Sequence, residues 1–327
     1  MTDSHTLLNI EEKSDRHVQD TSPPIGRSTI QHFSQLTKNL VGMDFSGEDL
    51  SGVNFSGANL NKADFTEADL NGANLNSAKI NSANLCLADL SEANLSLAKL
   101  DNSDLSLANL SHAKLIGTNL RGANLCRADL IAANLSGANL SGANLSGANL
   151  TDANLTGVYL IRSDLNGADL INANLSGADL REAKLINTNL SGAYLKGANL
   201  TGASLSRAYL MGANLNQVYF IGANLSGAEL RHAYLKDANL RQSNLNGAKF
   251  GGANLRGAEL SGAKLKNAYL GAADFSHANL SGACLIHANL SRIDLSYANV
   301  EKSRFGYNSG LSETMRRDLI QRGAIFE

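Results

Sequence analysis

Cys86, Cys126 and Cys284, with His112, His232, His277 and His287, are the side chains of this sequence best suited to redox, metal or nucleophilic chemistry. Metal or redox work needs several such groups within one short reach, and a nucleophile needs a base beside it and a third group to orient that base. Glycine is plentiful, at 30 residues, yet no phosphate-cradling loop or dinucleotide fingerprint is present. The glycines recur instead at one position of a short repeat. Whether any reactive groups meet therefore depends on the element that carries them.

That element is a ladder with a leucine or phenylalanine at every fifth residue from Leu40 to Phe305, relieved only by Ile80 and Val300. The frame reads small residue, Asn or Asp, Leu, and then usually Ser-Gly, as in Ala138-Asn139-Leu140-Ser141-Gly142. Five residues of α-helix turn through about 500°, so successive leucines would form no stripe. An odd period also sends them to opposite faces of a flat strand. The chain must bend at each repeat, and neighbouring repeats must supply the core that one repeat cannot.

On this motif the sequence resembles the pentapeptide repeat family over roughly four-fifths of its length. What the resemblance implies is an all-β fold, a right-handed quadrilateral parallel β-helix in which four pentapeptides make a 20-residue coil. About 13 coils at a ~4.8 Å spacing would give a rod roughly 60 Å long. The central Leu and the small residue two before it would point inward. Met43, Val53, Val158, Val218 and Ile293 stand where Ala is usual, and Ser103, Ser163, Ser243 and Ser303 fall on one side. Glycine suits the corners, and Asn tolerates turns and bonds locally. Both prolines precede the ladder, as stacked coils that use every backbone N–H require.

With 20 residues per coil, Cys86 and Cys126 share a side two coils apart, about 10 Å and beyond disulfide reach. His112 and His232 lie six coils apart, and His277 and His287 fall on opposite faces. No catalytic residue, cofactor site or metal site is expected, and the chain is read as not an enzyme. Residues twenty apart stack, so each face becomes a column. One column is acidic: Asp49, Asp69, Asp89, Asp129, Asp169 and Glu229. The same wall carries Ile131, Ile171 and Met211 at one outward position, with Tyr209 beside them. Acidic groups interleaved with apolar and aromatic ones make this the candidate interaction wall. An adjacent wall gathers Lys and Arg too mixed with acids for nucleic-acid binding. Leu87 and Leu107 form a small outward apolar spot near Cys86.

One elongated domain is expected over residues 40–305, between a flexible tail (1–24) with a helical N-terminal cap (25–39) and a C-terminal capping helix and tail (306–327). In the latter, Ser312 can cap a helix, and Leu311, Met315, Leu319 and Ile320, with Phe326 beyond, form a cap or a homodimer contact. A formal charge of −2 offers no bulk attraction to nucleic acid or anionic membrane, and no apolar run reaches a membrane span. A cytoplasmic location is the expectation. The leading functional expectation is a non-enzymatic rod-like scaffold or protein–protein interaction module, its partner another protein. Two alternatives follow from the resemblance: a DNA mimic that modulates or protects DNA gyrase or topoisomerase IV, and a regulator of bacterial differentiation or stress, cyanobacterial in character. Against the first stand the weak net charge and the lack of outward loops.

Overall fold

The computed structural model describes residues 38–327. The tail expected over 1–24 and the cap expected over 25–39, up to residue 37, lie outside the described residues. The chain divides into two compact units, Met1–Ala153 and Asn154–Glu327.

In the described part of the first unit, residues twenty apart face each other across parallel bridges, from Asn39 and Asn59 through Asp129 and Asn149. The second unit repeats the pattern from Asn154 and Asn174 through Asn289 and Ser309. A circuit of twenty residues, four pentapeptides to a turn, is thus a property of each unit by itself.

One pentapeptide accounts for all five of its backbone N–H groups, which explains the residue types of the motif. At Phe55, the N–H of the large residue donates to Asn74 O in the following coil at 2.8 Å. Two positions on, the Gly57 N–H reaches Asn76 O at 2.8 Å. The Ala58 N–H closes a turn on Phe55 O at 2.9 Å, and that turn needs a left-handed residue at Gly57, where φ is +67°. The Asn59 N–H bonds back to Lys38 O. Only the Ser56 N–H has no backbone partner in this scheme, and it donates to the Asn54 side-chain Oδ1 at 3.1 Å. Asn or Asp before each leucine is therefore a backbone acceptor carried on a side chain.

At several positions where Lys or Tyr replaces that Asn, an Asn one coil earlier takes over. Asn61 accepts from Asn81 N beyond Lys79, Asn81 from Asp101 N beyond Lys99, and Asn216 from Lys236 N beyond Tyr234. Lys79, Lys99 and Tyr234 thus stand in place of Asn without orphaning an amide.

Leucines and alanines of the ladder fill the interior of both units. In the first unit Phe45, Phe55 and Phe65 pack together with ring centroids 5.1 to 6.3 Å apart. Serine and threonine at the small inward position are buried with a bonded hydroxyl. Ser103, Ser163 and Ser243 each donate to the carbonyl three residues back at 2.7 Å, and Ser303 does likewise. Thr118 and Thr188 instead reach the coil before, at Leu95 O and Leu165 O.

The second unit ends with a change of element. Strand β1 (Arg304–Phe305) pairs in parallel with β2 (Ile325–Phe326), and helix α1 (Glu313–Gln321) lies between them in sequence. Ser312 accepts from Met315 N at the start of α1 at 3.1 Å, and Gly323 follows it at φ +89°. Leu319 is fully buried, and Phe326 stacks on Phe305 with centroids 5.3 Å apart. Arg322 ties the segment to the last coil through Leu295 O and Ala298 O.

Candidate interaction surfaces

The outward positions available for function are the Asn/Asp site of each repeat and the two corner residues that follow each leucine. Side chains there point from a backbone fixed on both neighbouring coils, so they are presented by a stiff surface.

In the first unit the acidic column forms as a stack: Asp49 bridges Asp69, Asp69 bridges Asp89, and Asn109 bridges Asp129. Asp49 and Asp69 are exposed, and Asp89 and Asp129 are half-buried. Each also serves the backbone. Asp49 Oδ1 accepts from Ser51 N, Asp69 from Asn71 N, Asp89 from Ser91 N and Asp129 from Ile131 N, at 2.9 to 3.0 Å. Asparagine does the same for the backbone at Asn109, which accepts from Ser111 N. Charge on this column is therefore additional to what the fold requires. Ile131 is half-buried beside Asp129.

The second unit treats the same column differently. Asp169, with Ile171 N bonded to its carboxylate, is followed by Asn189, Tyr209, Glu229 and Lys249, each bridged to the next. Glu229 sits between Lys249 Nζ at 2.5 Å and an Arg231 guanidinium nitrogen at 3.2 Å, so its charge is neutralised locally. Tyr209 and Met211 are exposed, while Ile171 is half-buried. Arg231 and Lys249, which the twenty-residue period places on the same wall toward the C-terminal end, thus pair with the last acid of the column.

The tyrosines are equally segregated. All eight tyrosines lie in the second unit, and Tyr159, Tyr194, Tyr209, Tyr219, Tyr234 and Tyr269 each replace the motif Asn or Asp with an exposed ring. At two corners, His277 stacks on Tyr297 and His287 on Tyr307, with centroids 5.0 Å apart.

Among the described residues no three metal-capable side chains converge, and no helix is long and apolar enough to cross a membrane. Cys86 and Cys126 each accept a hydrogen bond from a serine of the next coil, Ser106 and Ser146. Three carboxylates are held below the ordinary carboxylate range by hydrogen bonds from arginine: the half-buried Asp179 by Arg181, and the exposed Glu182 by Arg162 and Glu327 by Arg304. They are local pairs on the surface of the second unit. Of the C-terminal candidates, Leu319 is used inside the chain, Leu311, Met315 and Phe326 are half-buried, and Ile320 is exposed.

The family model described as "Pentapeptide repeats" matches in eight copies, from residues 39–72 to residues 273–306. Among solved structures the chain is similar to HetL, a pentapeptide repeat protein involved in heterocyst differentiation regulation from the cyanobacterium Nostoc sp. strain PCC 7120. That likeness has 34% identity, covers 69% of this chain and 86% of HetL, and has a TM-score of 0.26. The plasmid-mediated fluoroquinolone resistance protein QnrB1 is 20% identical over 65% of this chain and 91% of its own, at a TM-score of 0.33. A pentapeptide repeat protein of the Arabidopsis thaliana thylakoid lumen is 28% identical over 42% of this chain and 75% of its own, at a TM-score of 0.12. A search of curated proteins gives no match.

Proposed function

The chain belongs to the pentapeptide repeat family, and from that premise we propose that it is a non-enzymatic scaffold or interaction module whose first unit binds another protein. Members of this family form right-handed β-helices and generally serve as structural or interaction modules. In this reading the C-terminal segment is a cap: β2 continues the pairing of β1, and Leu319 and Phe326 cover the last coil.

The observation that carries the reading is the Asp49, Asp69, Asp89 and Asp129 column. An asparagine would serve the backbone as well, yet the chain places a charge at these positions. A cationic protein surface is the complement of such a column. The second unit carries more basic than acidic side chains, which supports this reading over a uniformly negative mimic of duplex DNA.

The test is capture of partners from the native cell with the full chain and with the quadruple Asp→Asn variant. Because asparagine keeps the turn bonds, the fold should be unchanged and capture lost. Equal capture by both proteins would remove the column from the function.

A further inference from the structure

The cations of the second unit differ in whether a carboxylate already engages them. On the side of its coils centred on Leu165 and its stacked equivalents, Lys184 pairs with Asp164 at 3.4 Å. On the next side Arg231 and Lys249 share Glu229. On the side centred on Leu160 and its equivalents, Arg162 pairs with Glu182 and Arg181 with Asp179. The fourth side, centred on Leu195, Leu215, Leu235 and Leu255, carries Lys196, Lys236 and Arg256. All three are exposed, and none of them makes an ion pair among the described residues. Over these four coils the only acid on this side is Asp237, at a corner.

The backbone fixes these groups in two parallel columns. Tyr194, Asn214, Tyr234 and Asn254 bridge each to the next. Beside them, the carbonyls of Lys196, Asn216, Lys236 and Arg256 each accept from an N–H of the coil before, at 2.9 to 3.1 Å. At about 4.8 Å per coil, Lys196 and Lys236 stand about 10 Å apart along the stack, with Arg256 about 5 Å further. Tyr194 and Tyr234 have the same separation, and their rings are 52% and 54% exposed. Tyr234 contributes nothing to the backbone that asparagine would not, since Asn216 already accepts from Lys236 N. Exposed tyrosines beside unpaired cations have the composition of an interface rather than of a solvated wall.

We propose that this side of the second unit docks an acidic amphipathic α-helix of another protein, laid along the stack. Residues i, i+7 and i+11 of a helix share one stripe and advance about 10.5 and about 16.5 Å along its axis. Carboxylates there meet Lys196, Lys236 and Arg256 within the reach of those long side chains. The tyrosine and cation columns lie two residues apart, roughly 7 Å, so both fall under one helix about 10 Å across. An apolar stripe beside the carboxylates then covers the two rings. Single-stranded nucleic acid stacks successive bases on neighbouring rings, and rings about 10 Å apart with Asn214 between them give no such platform. Four coils of one side offer on the order of 300 Å² by strand rise and spacing, so the contact belongs to the weak class, below the roughly 800 Å² per partner of a stable interface. The inference goes beyond the interaction-module reading, which concerns the acidic column of the first unit. The quadruple Asp→Asn variant leaves this side untouched, so the two readings fail separately.

The test is fluorescence anisotropy of a labelled synthetic helical peptide of about five turns, with glutamate at i, i+7 and i+11 and leucine along the neighbouring stripe, titrated with the full chain. Two double variants are compared with it: Lys196→Asn with Lys236→Asn, and Tyr194→Asn with Tyr234→Asn. Asparagine already occupies both columns at Asn214 and Asn216, so both pairs suit the fold. A third, Lys264→Asn with Lys266→Asn, removes the same charge from another side of the unit. The expected result is saturable binding with a dissociation constant in the micromolar range, weakened at least about tenfold by the first pair and at least about fivefold by the second, and unchanged within about twofold by the third. No binding, indifference to either of the first two pairs, equal weakening by the third, or equal binding of a peptide with lysine in place of glutamate would each overturn the proposal. Displacement of the peptide by a lower concentration of oligothymidine would overturn it as well, by assigning this side to single-stranded nucleic acid.

Discussion

Leu87 and Leu107 stand where the repeat otherwise favours glycine, and that choice sets local stability against surface chemistry. Replacing both with asparagine keeps a side chain that tolerates the left-handed corner and removes exposed apolar area. The double variant is expected to gain about 1 kcal/mol or more in urea unfolding. A loss of stability would mean that the leucines pack usefully within their own unit. The corner preference for glycine and the acceptor role of Asn were legible in the sequence, because both are backbone requirements repeated in every coil. The substitute acceptors Asn61, Asn81 and Asn216 were not. Each serves a residue twenty positions later, and no local pattern announces that pairing.

At the scale of the element, the C-terminal segment is held by β1–β2 pairing, by the burial of Leu319 and by the ion pair between Arg304 and Glu327, at 2.6 Å. The Glu327 carboxyl is held below its ordinary value, first by the hydrogen bond from Arg304. A carboxylate with a depressed folded pKa contributes stability that is fully present above its unfolded value and lost as pH falls through the folded one. Amide protection at Ile325 and Glu327 is therefore expected to be constant from neutral pH to about pH 4.5 and to fall at lower pH. The Arg304→Ala variant should start about two- to fivefold less protected, as an exposed pair implies, and should lack this step. An identical acid response in both proteins would assign it to other groups. The helix after Ser312 could be read from its cap and its apolar spacing. The return of Ile325–Phe326 to pair beside Arg304–Phe305 could not, because two-residue strands carry no periodicity of their own.

For the molecule as a whole, each unit is a stack in which coils contact their immediate neighbours, so damage in one unit is expected to stay there. Tyrosine offers the means to see this, since all eight rings belong to residues 154–327. Leu105→Ala removes a fully buried side chain of the first unit and should cost about 2 to 5 kcal/mol. Far-ultraviolet circular dichroism should then show an earlier transition, while the tyrosine fluorescence midpoint stays unmoved. Midpoints that shift together would show that the two units unfold as one.

The five-residue period alone excluded a continuous helix and a flat strand over these residues and required a bend at each repeat, because neither element brings every fifth leucine to one face. The column of Asp49, Asp69, Asp89 and Asp129 was accessible from the same arithmetic. What only the tertiary structure decided was the meaning of individual charges. Glu229 continues the acidic column in sequence, yet its carboxylate is paired with both Lys249 and Arg231, and the column that holds only Asp and Asn in the first unit mixes acids, tyrosines and a lysine in the second. A charge acts through every neighbour within its screening length, and most of those neighbours lie a whole coil away along the chain.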